Sequence, residues 1–170
     1  SGEVHCLRVE EHEGVRKPLV QVHMPFTDAT AIVYGRGRFV VLHKTGAVSH
    51  WPADENEFQK WPSLVARVEG VSDAVEVASG DAFGCARLRS GEVACWGKNG
   101  CVQLGTNDFV TRMTAAKVSG LSEVISLDAN ATQVCAARKD GRVVCWGCTL
   151  GEPETYLQPV DVVDEGTKPQ

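Results

Sequence analysis

The stretch "CARLRSGEVACWG" at residues 85–97 sets two cysteines on either side of a Ser-Gly pair and ends in Trp-Gly, and "CAARKDGRVVCWG" at residues 135–147 repeats the layout. Aligned on the glycine and on the aromatic five positions later, Gly46 with Trp51, Gly91 with Trp96 and Gly141 with Trp146 share one frame. Gly2 with Leu7 adds a fourth copy, and the intervals are 44, 45 and 50 residues. Self-similarity at such a period is the mark of a repeat architecture. Eleven residues before each tryptophan stand Val40, Cys85 and Cys135, and five before those stand Gly35, Gly80 and Asn130. Asn tolerates left-handed backbone angles better than most residues, which makes a Gly-to-Asn exchange at a turn sensible. Upstream, "GVSDAVEVASG" (70–80) matches "GLSEVISLDAN" (120–130) and, more weakly, "PFTDATAIVYG" (25–35).

Within one period, short alternating or β-branched runs are separated by Gly, Asp, Ser and Pro, the pattern of strands and turns. Strands are expected at 74–78, 83–88 and 92–96 and again at 124–128, 133–138 and 142–146. No window carries a capped 3.6-residue stripe. Several short strands per period point to an all-β fold of about three propeller blades of 44–50 residues, since helical repeats of this length would need two amphipathic helices. The expected division is 1–24 as the end of a truncated repeat and a link, 25–69 as a degenerate blade, 70–119 and 120–163 as blades, and 164–170 as a tail. The insertion that lengthens the last period falls in 97–117, placed between strands, where insertions are tolerated.

If 83–88 and 92–96 form a hairpin turning through Arg89, Ser90 and Gly91, Cys85 faces Cys95, and the second hairpin sets Cys135 against Cys145 in the same way. Facing residues at a non-hydrogen-bonded site lie about 4.5 Å apart, within a disulfide's span. Two such coincidences favour bridges over buried thiols acting as small hydrophobes, and bridges imply an oxidising compartment. Cys6 occupies the Cys95 position of its own repeat. Cys101 and Cys148, each just past a tryptophan, are candidates to bridge neighbouring blades. Trp96 and Trp146 are expected to pack between blades, with exposure as a ligand platform the alternative, and Gly97 and Gly147 to let the chain leave the strand sharply.

With 17 basic and 22 acidic residues in 170, the net charge of −5 works against polyanions, so nucleic acid is not an expected partner. No apolar run reaches the ~20 residues that span a bilayer, and the first residues lack the layout of a signal peptide, so an exported form would have lost its leader. Seven cysteines raise the question of metal, but the tightest pair, Cys145 and Cys148, has no second short-spaced pair, and all five histidines precede residue 51. In "VEEHEG" (9–14), alternation along a strand would send Glu10, Glu11, His12 and Glu13 to opposite faces. "GRGRF" (35–39) lacks the ending of a phosphate loop, and neither G-x-S-x-G nor H-E-x-x-H occurs. Neither catalytic residues nor a cofactor are therefore expected. "NAT" at 130–132 is an N-glycosylation sequon, meaningful where the host has that chemistry and the site is exposed, although Asn130 also has a role as a turn residue.

The segment "VSDAVEVASGDAFGCARLRSGEVACWGKNGCVQLGT" resembles the regulator of chromosome condensation type repeat in its turn glycines, its "CA", "SGEV", "CWG" and "QLGT". "LSEVISLDANATQVCAARKDGRVVCWG" is similar, while "VVLHKTGAVSHW" keeps only the hydrophobic pattern, the turn and the tryptophan. The resemblance implies four-stranded blades, usually seven in a ring, used as a protein-binding platform. Its cysteine-paired version is similar to repeats of extracellular bacterial proteins and plant receptor ectodomains. Three periods where seven are usual imply either a piece of a longer propeller or self-assembly of copies to complete a ring.

The resulting expectation is a secreted or cell-surface, non-enzymatic module that binds a protein through its least repeat-like segments, 52–66 and 98–116, with Phe58, Trp61 and Phe109 as contact residues. Two alternatives follow from the resemblance: an enzyme-inhibitory propeller like a β-lactamase inhibitor, and a guanine-nucleotide exchange factor for a small GTPase.

Overall fold

Alternating apolar runs punctuated by left-handed glycines build a row of four-stranded antiparallel sheets. The computed structural model describes residues 5–8, 11–12, 15–16, 20–24, 26–36, 38–52, 64–148 and 155–162. Strand β1 (His5–Arg8) pairs with β4 (Val20–His23), and β2 (Glu11–His12) with β3 (Val15–Arg16). Three blades follow. The first runs β5 (Ala29–Gly35), β6 (Arg38–His43), β7 (Val48–Pro52) and β8 (Ala66–Arg67). The second runs β9 (Ala74–Ser79), β10 (Phe83–Leu88), β11 (Val93–Gly97) and β12 (Arg112–Lys117). The third runs β13 (Val124–Ala129), β14 (Gln133–Arg138), β15 (Val143–Cys148) and β16 (Thr155–Asp161). All are consecutive antiparallel neighbours, the order of a propeller blade. The segment expected to be an insertion between strands thus contains a strand of its own, β12, with the loop confined to 98–111.

The central hairpins share one register. Pairs across β6–β7, β10–β11 and β14–β15 are symmetric about Thr45, Ser90 and Asp140, which puts Val40 opposite His50, Cys85 opposite Cys95 and Cys135 opposite Cys145. The turn glycines hold φ of +78° (Gly46), +83° (Gly91) and +85° (Gly141), a left-handed geometry that closes a three-residue turn. Disulfides join Cys85 to Cys95 and Cys135 to Cys145, each with Cα atoms 4.1 Å apart, and a third joins Cys101 to Cys148 across two blades. The first two close ten-residue spans and each contributes about 3 kcal/mol by restricting the unfolded chain. The third closes 47 residues and contributes about 4 kcal/mol on the same reasoning.

Each blade has a leading face, carrying the tryptophan, and a trailing face, carrying the Cys–Cys position. The leading face of the second blade (Val77, Ala86, Trp96) packs on Val40, Leu42 and Val48 of the first. The leading face of the third (Leu127, Val134, Ala136, Trp146) packs on Phe83, Cys85, Val93 and Cys95 of the second. Trp96 and Trp146 are both fully buried, which excludes a tryptophan platform. Hydrogen bonds repeat at each seam: Ala74 N donates to Gly46 O at 3.0 Å, and Val124 N to Gly91 O at 2.9 Å. Glu76 adds a side-chain link, accepting from Leu127 N at 3.2 Å.

Glycine is required at the end of the first strand for a reason different from the one expected. Neither Gly35 nor Gly80 has a positive φ. A Cβ on Gly35 would lie 2.1 Å from Gly80 O on the next blade, and one on Gly80 would meet both the Phe83 ring of its own blade at 2.0 Å and Asn130 O on the next blade at 2.2 Å. Gly97 and Gly147 stand at the end of β11 and one residue before the end of β15, where the chain leaves the strand, each just past a bulge and with φ of +104° and +103°. A Cβ there would strike Ala82 O at 2.4 Å or Thr132 O at 2.3 Å.

Trp96→Ala removes the largest side chain from the seam between the first two blades and is expected to cost about 3–5 kcal/mol. Urea unfolding followed by far-UV circular dichroism measures this; a loss below 1 kcal/mol would contradict the seam as the main source of cohesion.

Candidate protein-contact loop

The loop from Lys98 to Thr111 leaves the bulge at Gly97 and returns to the sheet at Arg112 through a set of buried polar groups. Asn99 is fully buried: its Oδ1 accepts from Leu104 N at 3.0 Å, and its Nδ2 donates to the Asp108 carbonyl at 2.6 Å. Gln103, also buried, accepts from Cys101 N at 2.8 Å through Oε1, while its own carbonyl accepts the Trp146 indole N–H at 3.0 Å. Val102 is held at φ +50°, an outlier for a β-branched residue that costs about 1–3 kcal/mol and persists because its surroundings fix it. Its fully buried side chain, Leu104 beside it and the Cys101–Cys148 bridge are those surroundings.

At the far end, Arg112 grips Asp108 with two parallel bonds, Nη1 to Oδ1 and Nη2 to Oδ2, both 2.7 Å. Asp108 Oδ1 also accepts Val110 N at 2.8 Å. The hydrogen bond from Arg112, then that from the Val110 amide, holds the Asp108 carboxyl well below the usual carboxylate range, and Asp108 in turn raises the Arg112 guanidinium. The two charges cancel at the base of an apolar surface. Above them Phe109 is 62% exposed, Val110 58% and Met113 66%. A shallow depression of about 420 Å³ lined by Arg112, Met113, Thr114 and Ala115 runs alongside. Exposed aromatic and Met side chains on a braced loop are the composition of a protein contact. Of the three residues expected to make contact, Phe109 stands here; Phe58 and Trp61 lie outside the described residues.

The first blade holds a relay that no motif announced. His43 Nδ1 lies 2.7 Å from Asp28 Oδ1, and His43 Nε2 lies 2.9 Å from Ser49 Oγ. The connectivity is that of a serine nucleophile, but Ser49 is only 8% exposed, lies mid-strand between Val41 and Arg67, and has Phe26 edge-on to its histidine with centroids 5.2 Å apart. An acyl-transfer site needs an approach path and free donors for an oxyanion. The other blades carry Leu88 and Arg138 at the His43 position and Ala94 and Val144 at the Ser49 position, so the relay stands where side-chain packing serves elsewhere. On the opposite face, His50 replaces the second cysteine and sits 2.7 Å from Arg38, Nδ1 to Nη1. Burial first, then the Arg38 charge, pushes the His50 imidazole down to about 4, so it is neutral and accepts. Among the described residues no group of three His, Cys, Asp or Glu is placed to hold a metal ion, and no helix is long and apolar enough to cross a membrane.

Residues 74–103, the second blade's β9 to the buried Asn99–Gln103 turn, match the family model of the Regulator of chromosome condensation (RCC1) repeat. Residues 74–103 are a repeat of the RCC1 type. Structural similarity covers more of the chain. Human WBSCR16 superposes with a TM-score of 0.70 at 19% identity over 91% of this chain and 43% of that one. A structure of Kap60 bound to yeast RCC1 (Prp20) gives 0.71 at 14% over 93% and 42%. Prp20p from Saccharomyces cerevisiae, described with its binding to Gsp1p and histones, gives 0.67 at 15% over 88% and 41%. These identities establish the fold, an RCC1-type propeller arc that spans about two-fifths of the length of each of these structures. No curated protein sequence matches significantly.

Asp108→Asn is expected to lower the hydrogen-exchange protection of the Val110 amide. Because the folded carboxyl titrates below its unfolded value of about 3.9, its contribution is complete above that value and lost as pH falls through the folded one. The unaltered loop should therefore lose protection only in that acid range. A phosphonofluoridate serine probe is expected to leave Ser49 unlabelled in the folded protein; stoichiometric labelling, read by mass spectrometry, would show the relay to be open.

Proposed function

We propose that the protein is a non-enzymatic, extracellular binding module that engages a protein partner through Phe109, Val110 and Met113. The observation that carries this reading is the investment of the loop: two buried amides, a bidentate Asp108–Arg112 pair and an inter-blade disulfide all fix a segment whose outward side chains are apolar. A surface ordered before contact loses little entropy on binding, so its exposed apolar area converts efficiently into affinity. Protein binding is also what the yeast relative's descriptions name, with Kap60, Gsp1p and histones. The net charge of −5 disfavours nucleic acid for this chain. Three disulfides support an oxidising compartment, secreted or cell-surface.

An inhibitor that caps an enzyme's active site would use the same loop. An exchange factor for a small GTPase would work among reduced thiols, which the bridges argue against.

The test is a binding assay against the protein captured from the native extracellular fluid. Phe109→Glu combined with Met113→Glu is expected to weaken the interaction more than about tenfold with thermal stability unchanged; equal binding by the double variant would move the contact elsewhere. A thiol count on the same preparation, denatured and unreduced, is expected to find one free thiol, since six of the seven cysteines are bonded. Four or more would overturn the extracellular reading.

A further inference from the structure

The turn after the first strand differs between blades in a way that bears on modification. In the first two blades it holds Gly35 and Gly80, with no room for a Cβ. In the third it holds Asn130.

Asn130, Ala131 and Thr132 spell the N-x-T acceptor sequence, and Asn130 and Ala131 are exposed. The asparagine is already set in an Asx turn. Its Oδ1 accepts from Thr132 N at 3.1 Å and from Gln133 N at 2.9 Å, while its Nδ2, the atom that would be modified, has no hydrogen-bond partner among the described residues. The Thr132 hydroxyl donates to Cys148 O at 3.0 Å, which pins the turn to β15.

We propose that Asn130 is an N-glycosylation site. In the step, Nδ2 forms a bond to the anomeric carbon of an oligosaccharide carried on a lipid pyrophosphate. The bond from that carbon to the pyrophosphate oxygen breaks, the lipid pyrophosphate leaves with the electron pair, and the amide gives up one proton. The site suits the folded protein because the two hydrogen bonds that shape the turn use Oδ1 and leave Nδ2 outward.

The proposal rests on the extracellular reading, and the experiment separates the two. The full chain, carried by a cleavable leader into a secretory pathway containing an oligosaccharyltransferase, is recovered from lumen and medium, and its mass is read before and after peptide N-glycosidase. One oligosaccharide is expected, with conversion of Asn130 to Asp on release. Thr132→Ala, which keeps the Asn130 turn bonds, and Asn130→Gln are each expected to abolish it, and Thr132→Ser to retain it. An unmodified chain with three disulfides overturns the glycosylation site and leaves the extracellular reading standing; an unmodified chain with free thiols overturns both.

Discussion

A four-stranded blade is apolar on both faces, so no blade is stable alone, and the seam between blades is the contact on which the other features depend. Its specification is mostly backbone. A left-handed glycine turn presents its carbonyl to the first strand of the next blade, from Gly46 to Ala74 and from Gly91 to Val124. At the other end of the first strand, Gly35 and Gly80 allow the neighbouring chain to approach within the reach of a methyl group. Between these two fixed points the tryptophan of one blade fills the trailing face of the one before it. A side chain anywhere in this frame must answer to two sheets at once, which is why the repeat is conspicuous in residues that have little chemistry.

The same constraint decides what a sequence can reveal. The cysteine positions, the turn glycines and the tryptophans recur with the period of the seam, so blade number, the first three strands of the second and third blades and the Cys85–Cys95 and Cys135–Cys145 register could be derived from spacing, while the fourth strand could not. Roles that depend on a neighbour were misread. The glycine-to-asparagine exchange at 130 looked like a matter of backbone angle, whereas φ is ordinary there and the relevant fact is whether another blade lies alongside. The loop that holds Phe109 was recognised as irregular, but its internal bracing was invisible, because Asn99 reaches Asp108 and Gln103 reaches Trp146 by contacts that follow no period. The Asp28–His43–Ser49 relay escaped for the same reason: its members come from β6, β7 and the residue before β5, and match no local motif.

The blades hold themselves together by different means. The second and third place a disulfide at the centre of the hairpin, where a slip of one residue would turn every side chain over. The first has Val40 and His50 there, and its polar contacts, Arg38 to His50 on one face and Asp28 through His43 to Ser49 on the other, fix strand positions with hydrogen bonds instead. Such contacts are directional, so they specify register as a covalent bridge does, yet they stay dependent on protonation in a way that a disulfide is not. The first blade is consequently the part of the arc whose cohesion should respond to acid.

That difference gives the arc a direction. The first blade's leading face exposes Ile32 (45%) and Tyr34 (62%) at positions where the later blades bury Val77, Ser79 and Leu127 and half-bury Ala129. The third blade's trailing face has exchanged Phe83 for Gln133, Ala78 for Asp128 and Gly80 for Asn130. An apolar, aromatic surface stands at one side and a polar, sterically filled one at the other. The exchange at Asn130 differs in kind from the other two, since a polar side chain can turn aside but a Cβ cannot. Both seams between the described blades depend at this turn on a close backbone approach for which only glycine leaves room.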